Sequence, residues 1–163
     1  MELKQHLSTR KIFVGLYFLA FAIYLVVGLQ PAGATNYEVS AKLVVPKIGL
    51  NSDVTTLTLD NNSLNTPDEI VGSYSQAKNK TLLIGHSATV LENLYQVALG
   101  DGINYDDADY KIVAIDMVPK YQIEMSKLLS SADRDTLVIM TCAGRLLDGG
   151  DATHRLIVTA IKL

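Results

Sequence analysis

With 163 residues, 48% of them hydrophobic, the chain has room for one compact domain with its own core plus an appendage. Its 14 Lys+Arg against 17 Asp+Glu give a net charge of −3, and no basic stripe runs along it. Nucleic-acid binding therefore has no electrostatic support, and the mild acidity fits an ordinary solvated surface. A single cysteine, Cys142, excludes an internal disulfide.

Residues 12–29 read IFVGLYFLAFAIYLVVGL, an uncharged stretch long enough to cross most of a bilayer as a helix. Lys4, Arg10 and Lys11 precede it, and no Lys or Arg follows before Lys42. The positive-inside rule then places residues 1–11 in the cytoplasm and the rest of the chain outside it. The expectation is a single-pass signal-anchor over 12–29, with the following domain extracytoplasmic at the cell membrane. Ala32-Gly33-Ala34 has the small-residue character of a signal-peptidase site, so a cleaved signal peptide is the alternative. The apolar stretch exceeds a usual signal h-region, which favours the anchor. A helix buried in a soluble core would leave the flanking charge asymmetry unexplained.

Residues 30–40 form a short polar linker with Pro, Gly and Asn. Over 41–163 strand signals dominate. Runs at 41–47, 54–59, 81–84, 110–118, 136–140 and 155–161 are rich in β-branched residues and broken by Asn, Asp, Gly and Ser clusters. Pro46 marks an edge or a strand end. Two short apolar stripes suggest helical pieces, one at Leu91, Leu94 and Tyr95, the other at Met125, Leu128 and Leu129. Many strands with few helices predict an all-β fold, an antiparallel barrel or sandwich.

A lone cysteine is by default a buried, passive residue. Cys142, however, follows the apolar run 136–141, with Gly144 and a polar turn after it. That places it where a buried strand emerges at the rim of a sheet, sharing a face with Val138 and Met140. A nucleophile needs rigid backing and one open side. Free thiols are mostly protonated near neutrality, so a catalytic cysteine also needs a basic or cationic neighbour. His6 lies on the cytoplasmic side of the expected span; His86 ends the run 81–85, with Gly85 able to form a bend; His154 stands at the entrance to the last strand. Position favours His86 over His154, although a strand-end histidine is often a surface residue. Arg155 opens the final apolar strand, where a guanidinium either stays solvated at the rim or grips an anion or carbonyl.

Taken together and in order, these elements resemble the sortase family. Val45-Pro46-Lys47-Ile48-Gly49-Leu50 is similar to the early proline-containing strand of sortases, and Leu83-Ile84-Gly85-His86-Ser87 to their histidine motif. Residues 99–105 resemble the L-x-x-G-D-x-I turn and strand, with tighter spacing, and residues 110–113 the Y-x-V strand that follows. Thr136-Leu137-Val138-Ile139-Met140-Thr141-Cys142 resembles T-L-x-L-x-T-C, and 154–158 the final arginine strand. The resemblance covers roughly residues 41–163. Residues 75–80 lack the Pro-Gly often found before the histidine, and Ile139 and Met140 stand where more compact residues are common. No second apolar span and no lid sequence is evident, which tilts the subclass towards surface-protein anchoring or leaves it unassigned.

The resemblance implies a closed or nearly closed β-barrel with short helices after one transmembrane helix. It implies Cys142 as nucleophile, His86 as acid/base partner, Arg155 as oxyanion-stabilising group and Thr141 as an aid to positioning the acyl group. The implied reaction is cleavage of a C-terminal sorting motif in a secreted protein, a thioacyl-enzyme, and transfer to an amine of a cell-wall peptide or a pilin lysine. No cofactor or metal is expected. Asp106, Asp107 and Asp109 form an acidic run better read as a solvated turn than as a calcium site. Two alternatives stand: a membrane-tethered cysteine protease that mainly hydrolyses, and a non-catalytic surface binding module on the same fold. Papain-like order, cysteine before histidine, is the reverse of that found here.

Overall fold

The computed structural model of the chain describes residues 37–60, 63–147 and 151–163. The expected cytoplasmic segment 1–11, the span 12–29 and most of the linker lie outside these residues. Among the described residues no helix is long and apolar enough to cross a membrane.

Eight strands close into a barrel, flanked by a two-stranded ribbon. β1 (Val39–Val45) begins two residues earlier than expected and turns at the 3-10 turn Pro46–Ile48 into β2 (Leu50–Thr56). Pro46 thus sits at a strand end, where its missing N–H costs no ladder bond. The ribbon β3 (Leu59–Asp60) and β4 (Ser63–Leu64) lies in the crossover to β5 (Val71–Ala77), which pairs in parallel with β2. β6 (Lys80–Ile84) returns antiparallel to β5. β7 (Gly102–Tyr105) and β8 (Ala108–Pro119) form a hairpin, and β9 (Thr136–Leu146) and β10 (Ala152–Lys162) another. Around the barrel the order is β1-β2-β5-β6-β9-β10-β8-β7, and β7 closes on β1 through Leu43↔Tyr105 and Val44↔Asn104.

Every barrel strand contributes to one buried interior cluster. Leu43 and Val45, Val54, Val71, Leu83, Ile103, Ile112, Leu137 and Ile139, and Leu156, Val158 and Ala160 all belong to it. Side chains alternate across a strand, so their neighbours point outward. On three adjacent strands those outward residues are also apolar: Leu82, Val138, Met140 and Ile157 form a second buried cluster. It is covered by Ile123, Leu128 and Leu129, from the segment carrying the single helical turn Met125–Leu128. The apolar stripe at Met125, Leu128 and Leu129 therefore does form helix, for one turn.

The other stripe does not. Residues 87–96 form turns with one 3-10 turn, Leu94–Gln96, and Leu91, Leu94 and Val97 all join the interior cluster. Their spacing of three matches the 3.0-residue period of 3-10 geometry rather than the 3.6 of an α-helix. Tyr95, off that row, is 70% exposed.

β5 (VGSYSQA) carries too few β-branched residues to read as a strand in isolation. Its glycine is required by packing: a Cβ on Gly72 would lie 2.5 Å from Leu57 Cδ1. The acidic run is resolved as turn chemistry. Asp106 and Asp107, with φ 50° and 61°, make the two-residue β7–β8 connection, a conformation Asp tolerates. Asp109 accepts a hydrogen bond from Asn104 Nδ2 across the hairpin at 2.9 Å.

The interior cluster dominates stability. Leu83→Ala, at a fully buried position, is expected to cost about 2–5 kcal/mol. Met117→Ala, at 60% exposure, should stay within about 0.5 kcal/mol. Urea unfolding midpoints of the two variants check this.

Candidate active site

The outward face of β6, β9 and β10 continues beyond its buried cluster into a groove. On β6 the outward row runs Leu82, Ile84 and then His86; on β9, Val138, Met140 and Cys142; on β10, Ile157 and Arg155. Pairing brings these rows level. Cys142 lies directly opposite Arg155 in the antiparallel β9–β10 ladder. Ile84 lies opposite Met140 in the parallel β6–β9 ladder, so His86 and Cys142 each follow that pair by two residues.

The groove is a cavity of ≈ 320 Å³. Ile84, Gly85, Met140, Thr141, Cys142 and Arg155 line it from the three strands, with His86 beside them. Leu59 and Leu64 from the β3–β4 ribbon, Thr66, and Met125 from the helical turn complete its walls. An apolar trough thus ends in a thiol, an imidazole and a guanidinium.

Beneath the groove, Thr141 Oγ1 donates to Gly85 O at 2.7 Å. Thr141 is 3% exposed, so this bond is dry, and it ties the residue before Cys142 to the residue before His86. The sequence suggested Gly85 as a bend. Its φ is not positive, and its requirement is space: a Cβ there would lie 2.8 Å from Val90 Cγ1.

His86 is 44% exposed at its side chain, and its Nε2 faces two acceptors, Thr66 O at 3.3 Å and Asp68 Oδ1 at 3.4 Å. A carbonyl and a carboxylate can only accept, so these contacts are hydrogen bonds in the ring forms that carry a proton on Nε2. Cys142 is half-buried, between buried Thr141 and exposed Gly144. β9 does not end there; pairing with β10 continues to Leu146, so burial changes at Cys142 while the ladder goes on.

Arg155 is more deeply set, at 15% side-chain exposure. Its Nη2 donates to Asp151 Oδ1 at 2.8 Å, and its Nη1 to Ala152 O and His154 O at 3.1 and 3.0 Å. Asp151 also accepts from Lys120 Nζ. Lys120 and then Arg155 hold the Asp151 carboxyl well below the usual carboxylate range, with help from the Ala152 N–H. Sequence reading did not single out Asp151, Thr66 or Asp68. Only for Asp151 was there a local signal, its position four residues before Arg155.

His154 lines a different pocket, with Pro119, Lys120, Tyr121, Leu147, Ala152 and Thr153, and its Nδ1 lies 2.8 Å from Thr153 Oγ1. Adjacent on one strand, His154 and Arg155 face opposite sides. Among the described residues no group of three or more His, Cys, Asp or Glu is arranged to hold a metal ion.

A family model described as the sortase domain matches residues 43–162. Among solved structures, the lid mutant of sortase A from Corynebacterium diphtheriae is similar at a TM-score of 0.61 and 23% identity, over 80% of this chain and 73% of that one. Sortase C-1 from Actinomyces oris is similar at 0.59 and 23%, over 77% and 72% of the two chains. A Clostridium perfringens sortase D5 transpeptidase is similar at 0.58 and 22%, over 77% and 79%. No curated protein matches. These structures spread over subclasses A, C and D at comparable low identity, so they share the fold and select no subclass. With the domain matched from the first barrel strand to the last, the chain belongs to the sortase family.

Proposed function

We propose that this protein is a membrane-tethered cysteine transpeptidase in which Cys142 is the nucleophile, His86 the proton donor and acceptor, and Arg155 the group that steadies the oxyanion. The observation that carries this reading is the convergence of all three side chains on one groove, with Cys142 and Arg155 directly paired across two strands.

The chemistry runs in two halves. The Cys142 thiolate attacks a backbone carbonyl in the C-terminal sorting motif of an exported protein, and the electron pair of the carbonyl moves onto oxygen. Arg155 has N–H donors to offer that oxygen, from a side chain that is itself only 15% exposed. As the tetrahedral adduct collapses, the C–N bond breaks and His86 gives its proton to the departing amine. The thioester on Cys142 is then attacked by an amine of a cell-wall peptide or a pilin lysine. His86 takes up the proton released, and the thiolate leaves as the new amide forms. Water in place of the amine gives hydrolysis.

Thr141 supports both halves. It lines the groove beside Cys142, where it helps position the acyl group, and its hydroxyl braces the strands that carry the nucleophile and the histidine. The span at 12–29 holds the domain outside the membrane, where exported substrates emerge.

Incubation of the protein with a panel of sorting-motif peptides and a nucleophilic amine should give a thioester on Cys142 and an amide product by mass spectrometry. No adduct across a broad panel would sink the enzyme reading in favour of a binding module. Hydrolysis without aminolysis would turn it into a protease.

Cys142→Ala should abolish turnover while leaving the thermal midpoint nearly unchanged, since the thiol is only half-buried. Arg155→Ala should lower kcat/KM by about 10²–10³-fold if it stabilises the oxyanion. His86→Ala should be similarly damaging and His154→Ala close to neutral; equal losses from the two would refute the assignment of the histidine. Thr141→Val leaves Gly85 O without its buried donor and is expected to cost about 1–3 kcal/mol of stability.

A further inference from the structure

A guanidinium at 15% exposure needs an anion or a set of acceptors in place of water, and Arg155 has both. Its Nη1 group is held by Ala152 O and His154 O, and one Nη2 proton by Asp151. Of its five N–H donors, three are committed among the described residues, two to carbonyls of its own strand and one to the residue just before that strand, which leaves Nε–H and one Nη2 proton. A register shift between Ala152 and His154 falls inside this turn of chain and aims both carbonyls at the same nitrogen.

Asp151 has three partners in turn. Its Oδ1 accepts from Ala152 N at 2.8 Å as well as from Arg155, and its other oxygen accepts from Lys120. The Lys120 side chain is 53% exposed, so water screens that pair, whereas the arginine has little water to exchange for the carboxylate. The pair with Arg155 is therefore the one that decides geometry.

We infer that Asp151 is a positioning residue: it fixes the Arg155 guanidinium against β10 so that the remaining N–H donors point into the groove at Cys142. This rests on the proposed roles of Cys142, His86 and Arg155. Asp151 does not touch the reacting atoms; it acts through the arginine. Without it, the guanidinium gains rotamers and its donors are no longer pre-aimed at the oxyanion. A misplacement of about 1 Å at such a donor costs on the order of 10²-fold in rate.

The test uses the full chain, the peptide that acylates Cys142 most readily in the panel above, and hydroxylamine as acceptor. Asp151→Ala should lower kcat/KM by about 10–100-fold, mostly in kcat. Asp151→Glu, which keeps the anion, should recover most of the loss. In an Arg155→Lys background, where the guanidinium is absent, Asp151→Ala should add less than about threefold, as expected of two residues acting as one unit.

A second readout needs no turnover. The Arg155 Nη2–H signal in ¹⁵N NMR spectra should be protected from solvent exchange in the native chain and in Asp151→Glu, and lose that protection in Asp151→Ala. Equal losses of activity from Asp151→Ala in both backgrounds would mean a general structural role and overturn the inference. Protection retained in Asp151→Ala would overturn it as well. A native chain that never acylates at Cys142 would instead refute the parent reading, a failure visible in that control alone. A tether seen by NMR in such a chain would then have no catalytic meaning.

Discussion

The register of three adjacent strands, β6, β9 and β10, is the constraint on which the site depends. Side chains alternate across a strand, so a slip of one residue exchanges the two faces of the whole strand. A slip in β9 would turn Leu137 and Ile139 out of the interior and carry Cys142 into it. Each such leucine or isoleucine contributes about 1.5–3 kcal/mol by burial, whereas a hydrogen bond such as Thr141 to Gly85 contributes about 1 kcal/mol net. Hydrophobic packing therefore sets the register, and the buried hydroxyl refines it. The groove inherits its geometry from a core it does not touch.

That inheritance explains the mixed character of the groove. Its floor is the continuation of a buried apolar cluster, so Ile84 and Met140 reach it as a matter of strand alternation. Its polar end begins where the cover from residues 123–129 stops. A charged group just past an apolar cluster must bring its own counter-ion, and Arg155 does so within four residues of chain. His86 is treated differently. It remains nearly half exposed, and its Nε2 meets a carbonyl and a weakly held carboxylate from the segment after β4. Under the proposed chemistry the division is apt: an oxyanion donor benefits from rigidity, while a group that gives and receives protons has to move.

Legibility in the sequence followed the same physics. Strands that are apolar on both faces, such as 136–140 and 155–161, were evident from composition, because burial on two sides demands it. β5 was not, since it packs through small residues and Gly72 accommodates Leu57. The stripe at Leu91, Leu94 and Tyr95 misled because residues spaced by three serve both kinds of helix, and Val97 rather than Tyr95 completes the buried row. The order of His86, Cys142 and Arg155 was readable, as each closes or opens an apolar run. Thr66 and Asp68 were not, because their contacts come from loop geometry and carry no period, and Asp151 offered only its place four residues before Arg155.

The meaning of the lone cysteine turns on a single residue of spacing. Positions 141 and 143 share one parity on β9, where Thr141 is buried at the base of the groove and Ala143 packs against the core. A cysteine at either would be the passive, buried thiol that a lone cysteine usually is. Cys142 takes the other parity, at the point where the outer cluster gives way to the groove and opposite the strand position held by Arg155. The proposed catalytic reactivity additionally requires that the groove hold a peptide carbonyl over the sulfur. Leu59, Leu64 and Met125 give the groove apolar walls beside the polar group of Cys142, His86 and Arg155, a mixed lining that under the proposed function would take a peptide's side chains and its backbone. Passive burial and proposed catalysis thus differ by one step of strand alternation, and the core of the barrel enforces that step.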